Sequence, residues 1–210
     1  MSKAAELAKF IADGTLGTGV AEDKKLVFNG NAQDFHIGLD DSSDSLTMGL
    51  GSTLGTTPYM VIDASGRVTK PNQPAFSATH TTGGTLTTDT TYRLKPHNTT
   101  ITNVGSCYSN ASGGSRFTAP IAGTYIFFAY ALQLQNLASM LIFGKNGSHT
   151  THGVNGEGRA ITPASTESNV AIQLVLTLAE NDYVEVFYRR SSGSGGWYTA
   201  HAGFSGFLIG

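Results

Sequence analysis

The second half of the chain alternates between side chains that point to opposite faces of β-strands. Over residues 117–130, Tyr125 and Phe127 alternate with Phe128 and Tyr130, so both faces of this strand are apolar. Such a strand must pack against another layer on each of its two faces. One is the second sheet of its own sandwich, and the other is a neighbouring subunit, because a small domain rarely supplies a third layer. The pattern predicts a β-sandwich that forms an oligomer.

Strands of similar character continue from Phe76 to the C-terminus. The residues from 170 to 178 carry an inward stripe that starts at Val170 and ends at Leu178, and Asn146-Gly147 is a hairpin signal. The spacing is that of a sandwich or jelly roll. We predict strands near residues 76–80, 91–95, 99–104, 116–118, 123–133, 138–145, 170–178, 183–190 and 202–209.

The preceding region, residues 13 to about 70, consists of short alternating runs separated by Gly, Asp, Ser and Thr. Apolar residues alternate from Phe35 to Leu39 and again from Leu46 to Leu50. These runs hold little material for a core of their own, and thin strands obtain a shared apolar face most easily by winding together with copies from other chains. We therefore predict a β-rich shaft over residues 14–73 and a head over residues 74–210.

The first residues predict a short helix. Ala4, Leu7, Ala8 and Ile11 repeat at the spacing of one helix face, and Gly14 follows as a stop signal. An isolated helix of this length is marginal in water, so we expect a docking surface or partner helices to hold it. Residues 1–13 are thus a candidate anchor, with Leu7, Phe10 and Ile11 as docking residues; a frayed terminus is the alternative.

The composition of the chain narrows the class of protein further. Charged residues make up 13% of the 210-residue chain and the net charge is -2, so the chain has no basic footprint for nucleic acid. No apolar run is long enough to span a bilayer, so we expect no membrane insertion, and the N-terminus lacks the pattern of a signal peptide. The single cysteine, Cys107, predicts a small buried hydrophobe and no internal disulfide.

The segment from about Phe76 to Gly210 resembles the globular head of complement C1q and its tumour-necrosis-factor-like relatives. The resemblance lies in Phe117 with Gly123 and the alternating aromatics after it, in Lys145-Asn146-Gly147, in Glu180-Asn181-Asp182, and in the closing Phe204-Ser205-Gly206-Phe207. The chain departs from the family pattern at Ala129, where an aromatic residue is usual.

That resemblance implies an all-β, ten-stranded jelly roll, tight homotrimerisation, no enzymatic activity, and binding through apical loops and sides. It makes a set of aromatic residues candidates for the trimer core, namely Tyr125, Phe127, Phe128, Tyr130 and Phe207.

The N-terminal region is similar to the starts and shafts of virion proteins from tailed phages, especially marine and cyanobacterial ones. The similar segments are residues 2–11 and residues 31–44. The similarity implies an anchor, a shaft and a knob.

The sequence contains incomplete versions of two functional motifs, a nucleophile elbow and a phosphate-binding loop. Ser205 lies in Gly203-Phe204-Ser205-Gly206, which lacks the second glycine where a nucleophile elbow requires it. The glycines from Gly49 to Gly55 follow a strand but precede no helix, so they do not make a phosphate loop. We expect no enzyme.

Two groups of side chains could ligate a metal. His149 and His152 offer two imidazoles without a third ligand, and an ordinary polar loop is the alternative. Asp40, Asp41 and Asp44 offer oxygens suited to calcium, although such a cluster between two strands is first of all a turn. We expect no cofactor, with calcium as the open alternative.

The best candidate for ligand contact is the loop at residues 191–196. Arg189 and Arg190 precede it, and Trp197 and Tyr198 follow it, which is a composition used to stack on sugars or to bind acidic glycans. The alternative is a hairpin whose Trp packs on the sandwich edge.

These features lead to one hypothesis with two alternatives. The hypothesis is a homotrimeric decoration or head-fibre protein, made in the host cytoplasm and located on the exterior of a phage virion. It docks on other virion proteins through its N-terminus and displays a knob for adhesion, with a host-surface glycan as a candidate partner. The alternatives are a short tail fibre of the same virion and a free lectin-like module.

Overall fold

A computed structural model describes residues 2–80, 92–93, 99–110, 115–135, 139–148, 159–162, 165–190 and 196–210. The chain divides into two compact units, Met1–Asn72 and Gln73–Gly210. The described residues are almost entirely β-structure with one helix, so the predicted all-β class is confirmed.

The predicted N-terminal helix is present and spans Lys3–Asp13 (α1). Ser2 begins it, because its side-chain Oγ accepts a hydrogen bond from the Ala5 amide at 3.3 Å, as an N-cap does. Gly14 ends it with φ at +69°, the left-handed conformation that glycine adopts most readily.

The rest of the first unit is one antiparallel sheet in which consecutive strands pair in chain order. Every strand of the sheet pairs with strands of the same chain. The strands are Lys24–Phe28 (β1), Phe35–Asp40 (β2), Ser45–Leu50 (β3), Pro58–Ile62 (β4) and Val68–Thr69 (β5).

The two faces of this sheet are unlike. Residues directly opposite each other on paired strands share a face, so the register places the apolar side chains together. We call this surface the N-terminal apolar face; it consists of Leu26, Phe28, Phe35, Ile37, Leu39, Leu46, Met48, Leu50, Met60, Ile62 and Val68.

The other face is polar over its central strands β2 and β3, and it is there that the sheet is buried. It holds His36, Asp40, Ser45 and Thr47, and Leu54 is the one buried hydrophobic residue among the described side chains of this unit. Within the described residues of one chain this unit therefore buries almost no apolar side chains, and the shaft over residues 14–73 stays a prediction.

The second unit is a sandwich of two sheets. Its described strands are Ala75–His80 (β6), Tyr92–Arg93 (β7), Thr99–Val104 (β8), Tyr108–Ser109 (β9), Arg116–Thr118 (β10), Gly123–Gln135 (β11), Ser139–Lys145 (β12), Arg159–Thr162 (β13), Ser165–Leu178 (β14), Tyr183–Arg190 (β15) and Gly196–Leu208 (β16). One sheet has the order β14-β11-β16-β6-β8, and the other has the order β13-β12-β15-β10-β9 with β7 beside β15.

Aromatic side chains fill the space between the two sheets. Phe76 stacks on Tyr108 with ring centroids 5.1 Å apart, and Phe117 meets the edge of Phe127 at 5.0 Å. Cys107 lies in the same core, where burial raises the pKa of its thiol to about 11. The prediction that this cysteine is a buried hydrophobe is confirmed.

A polar cluster around Asp182 connects two turns of the sandwich. The Asp182 carboxylate accepts hydrogen bonds from the Asn146 side chain at 2.7 Å and from the Ala179 amide at 2.8 Å, and it forms an ion pair with Lys145 at 2.7 Å. These contacts, the Asn146 hydrogen bond first, lower the pKa of Asp182 from 3.8 to about 2. The cluster thereby holds the turn that ends β14.

Because the folded-state pKa is the lower one, Asp182 contributes stability above pH 4 that is lost as pH falls from about 4 towards 2. We expect Asp182→Asn to lower the free energy of unfolding at pH 7 by about 1–2 kcal/mol. The variant should also lose less stability than the natural chain between pH 4 and pH 2. Urea titrations followed by fluorescence of Trp197, the only tryptophan, report on this unit.

The matched control is Asp63→Asn, which removes an exposed ion pair with Arg67 in the first unit. It should leave the Trp197 transition unchanged. Identical acid dependence of the natural chain and Asp182→Asn would contradict the assignment.

Candidate functional site

The outward face of the sheet β14-β11-β16-β6-β8 carries an apolar row that crosses all five strands. The register aligns one residue from each strand, and opposite residues share a face. The row consists of Val104, Ala75, Phe207, Ile126 and Val175.

Two further rows lie beside the apolar row. The second consists of Thr102, Ser77, Ser205, Phe128 and Gln173, and the third of Thr79, Gly203, Tyr130 and Ala171. We call these three rows together the open face.

Aromatic rings form the centre of the open face. Phe128 stacks on Phe207 with ring centroids 6.5 Å apart, and these side chains are 37% and 46% exposed. The ring of Tyr130 lies against Gly203, where any Cβ would collide with it. The glycine thus lets the tyrosine lie flat along the sheet and keeps this part of the face level.

A shallow concavity of about 400 Å³ adjoins the rings. It is lined by Phe128, Ala129, Tyr130, Ala171, Ile172, Gln173 and Ser205. Its lining residues carry one side-chain amide and two hydroxyls among apolar groups, so it suits an uncharged side chain better than an ion.

None of the three rows of the open face contains Asp, Glu, Lys, Arg or His. Ordinary protein surface is rich in charge, whereas the centre of a protein interface is depleted in charge and enriched in aromatic residues. The open face therefore has the composition of an interface centre.

The predicted trimer-core residues separate into two sets. Phe128, Tyr130 and Phe207 lie on the open face, but Tyr125 and Phe127 are fully buried between the two sheets of their own sandwich. The Tyr125 hydroxyl donates a hydrogen bond to the Ile121 carbonyl at 2.8 Å. The assignment of Tyr125 and Phe127 to a subunit interface is wrong, because neither side chain reaches the surface.

The residues on either side of the predicted ligand loop belong to two strands from different sheets. Arg189 and Arg190 end β15, where they pair with Met140 and Ser139. Trp197 and Tyr198 lie near the start of β16, opposite Gln133 and Leu132. The four side chains and residues 191–195 lie outside the described residues, so ligand contact stays a prediction.

The three aspartates considered for calcium lie in and beside the turn between β2 and β3. Asp40 is buried and accepts hydrogen bonds from the Ser42 hydroxyl at 2.6 Å and the Ser42 amide at 3.1 Å, which lower the pKa of Asp40. Asp44 takes the turn's left-handed position, with φ at +48°. In the described part of the chain no three His, Cys, Asp or Glu side chains are grouped as metal ligands would be. His149 and His152 lie outside the described residues.

The candidate docking helix presents its apolar side chains to solvent. Leu7 is 59% exposed and Ile11 is 75% exposed, while the Phe10 side chain lies outside the described residues. Among the described helices, none is long and apolar enough to cross a membrane.

The sequence reasoning missed most of the apolar row. Val175 was available as a signal, since it is an apolar residue on the face of β14 opposite the inward stripe, and it is 52% exposed. Ala75 and Val104 gave no signal, because their alignment with Phe207 depends on the pairing register rather than on local pattern.

Comparison with known proteins agrees with the sandwich. The family model described as the C1q domain matches residues 75–209. No curated protein sequence matches the chain.

Solved structures similar to the chain include the globular domain of zebrafish complement 1qA protein, with 19% identity, a TM-score of 0.49, and coverage of 66% of this chain and 98% of that one. Eiger TNF from S. frugiperda has 10% identity, a TM-score of 0.47, and coverage of 66% and 94%. Murine APRIL at pH 5.0 has 10% identity, a TM-score of 0.46, and coverage of 65% and 99%.

C1q-like and tumour-necrosis-factor-like domains are typically non-enzymatic recognition modules, and they commonly form homotrimers. The matching family model covers more than half of this chain, so the chain belongs to the C1q domain family.

Proposed function

We propose that this chain is a homotrimeric, non-enzymatic structural protein on the exterior of a tailed-phage virion. Its N-terminal unit docks on other virion proteins, and its C1q domain is displayed as a knob for adhesion. The observation that carries the proposal is the open face, an uncharged surface with aromatic rings at its centre and an apolar row across all five strands.

The open face supports trimer formation on energetic grounds. Phe128, Tyr130, Val175 and Phe207 are between 37% and 52% exposed in the single chain. Burying such side chains contributes about 25 cal/mol for each Å² removed from water. No charge on the face has to be desolvated, so little of that gain is lost. The concavity beside Phe128 offers a place for a side chain of a neighbouring subunit.

The location on a virion is supported by the N-terminal region. This location rests on the resemblance of residues 2–11 and 31–44 to the starts and shafts of phage virion proteins. The exposed Leu7 and Ile11 give the helix an apolar side that suits a groove on another protein.

Adhesion by such a protein depends on avidity. Three loop sites on one knob, and many knobs on one particle, can strengthen binding by roughly 10²–10⁴ over a single site. A host-surface glycan fits the residues around the loop at 191–196, with Arg189 and Arg190 before it and Trp197 and Tyr198 after it.

Size-exclusion chromatography with light scattering tests the assembly. We expect a mass of three times 22.0 kDa at micromolar concentration. A stable monomer at that concentration would overturn the proposal.

Electron microscopy of intact tailed particles that carry this chain tests the location. Gold-labelled antibody against the C1q domain should mark the capsid surface. Label on the tail alone would identify a short tail fibre instead, and particles without label would favour a free lectin-like module.

A further inference from the structure

The N-terminal apolar face lacks the cover that a sheet of this kind normally has. Leu39, Met48 and Phe28 are 46%, 45% and 62% exposed. The opposite, buried face contains His36, Asp40, Ser45 and Thr47, so the usual placement of polar and apolar residues is reversed. Contiguous apolar surface of this extent marks an interaction site.

The helix of the same unit does not supply the cover. Its apolar residues Leu7 and Ile11 are themselves 59% and 75% exposed, so they are not packed on a sheet. The only buried hydrophobic side chain described in this unit is Leu54, which belongs to the loop between β3 and β4. The described residues of this unit therefore leave the face open to another molecule.

We propose that the occupant is the same face of two further copies of this chain, which together form an apolar core around a threefold axis. This inference rests on the proposed trimer of the C1q domain. It extends the trimer to a second, separate surface made by the N-terminal unit.

The connection between the two units favours this occupant. Asn72 ends the first unit and Gln73 begins the second, so the two units are consecutive in the chain. The Gln73 side chain donates a hydrogen bond to the Leu208 carbonyl at 2.5 Å, and Pro74 is buried, so the chain is fixed to the sandwich directly after the junction. A trimeric C1q domain would hold three N-terminal units at an effective concentration on the order of millimolar.

The charge of the N-terminal apolar face also favours further copies of this chain as its occupant. No acidic residue lies on the N-terminal apolar face, and the cation at its edge, Lys24, forms an ion pair with Glu22 at 2.5 Å. Three identical faces can therefore meet without like charges at the centre. An acidic lipid surface would instead require a ring of available cations.

The pairing of strands determines how the copies would meet. Since β1 to β5 pair within one chain, the copies contact each other through side chains and exchange no strands. Under threefold symmetry each residue near the axis lies close to its own counterparts. Met48, on a central strand, is the residue best placed to do so.

Cysteine cross-linking in the full chain tests the inference. Met48→Cys should give covalently linked subunits on mild oxidation or with a short bis-maleimide, and Leu46→Cys, which is on the same face, provides a second variant. Thr69→Cys is the matched control, because Thr69 is exposed on the opposite face of the sheet. Native Cys107 is 2% exposed and should not react.

We expect most subunits to link with Met48→Cys or Leu46→Cys and few to link with Thr69→Cys. A trimer mass without links from either face variant would overturn this inference and leave the proposed trimer of the C1q domain intact. A monomer mass would overturn both. One reactive cysteine per chain can link chains only in pairs, so a native mass above three chains after linking would show that the face joins separate trimers, which also contradicts the inference.

Discussion

Replacing Phe127 with alanine is expected to lower the free energy of unfolding of the C1q domain by about 3–5 kcal/mol. Phe127 is fully buried and contacts the rings of Phe117, Phe143 and Phe204. The substitution removes the ring from a closely packed core and leaves a cavity that the surrounding sheets can fill only in part. Urea unfolding followed by Trp197 fluorescence measures the loss.

The next residue along the strand is the matched control. Phe128 points to the open face, so Phe128→Ala should keep the circular dichroism spectrum and act on assembly, lowering the measured mass in dilute solution. If the two variants lost the same stability with no change in mass for Phe128→Ala, the assignment of the two faces would be wrong.

Replacing Phe207 with aspartate is expected to convert the trimer into monomers at micromolar concentration. Phe207 lies in the middle of the apolar row, and each subunit would bring an unpaired carboxylate to the interface. Removing such an ion from water costs several kcal/mol, and no cation on the open face could pair with it. Light scattering should show the mass falling from three chains to one.

Ile121→Asp is the control for Phe207→Asp. Ile121 is 48% exposed, but it precedes β11 and lies outside the open face. It should remain trimeric. If both variants stayed trimeric, the subunits would have to associate through a different surface.

The alternation of residues was sufficient to predict much of the sandwich. Strands at 99–104, 116–118 and 183–190 were predicted with the bounds that the structure has, and the inward stripe from Val170 to Leu178 is confirmed. Such strands can be predicted because side chains on a strand alternate between core and surface, and the sequence records that period. The strands β9 and β13, with two and four residues, are too short to show a period.

Alternation alone could not say which face of β11 is the inner one. Both faces are apolar, and the aromatic residues of the two faces were assigned together to one interface. The choice depends on what the neighbouring strands place opposite: Phe76 and Phe204 contact Phe127, whereas Phe207 contacts Phe128. Tertiary pairing of this kind is not encoded in local pattern.

The N-terminal unit shows the same limit in another form. Phe35, Leu39 and Met48 would conventionally be placed inside, yet the polar face with His36 and Asp40 is the buried one. The His36 ring is held by a contact of 3.0 Å between its Nδ1 and the Gly51 carbonyl, so the β3–β4 loop covers the polar side. The pattern located the strands, but it could not show that the polar residues between the apolar ones would be the buried set.

The position of β6 inside its sheet determines how the C1q domain resists a pulling force. The first strand of the domain, β6, has β16 on one side and β8 on the other. Hydrogen bonds in antiparallel sheets run perpendicular to the strands, so a pull along β6 from the N-terminal side loads two ladders at once in shear. All of these bonds must yield together, whereas a strand peeled from an edge gives way one bond at a time. A load applied to the chain at residue 73 would thus be resisted by both ladders of β6, and unfolding under force would begin elsewhere.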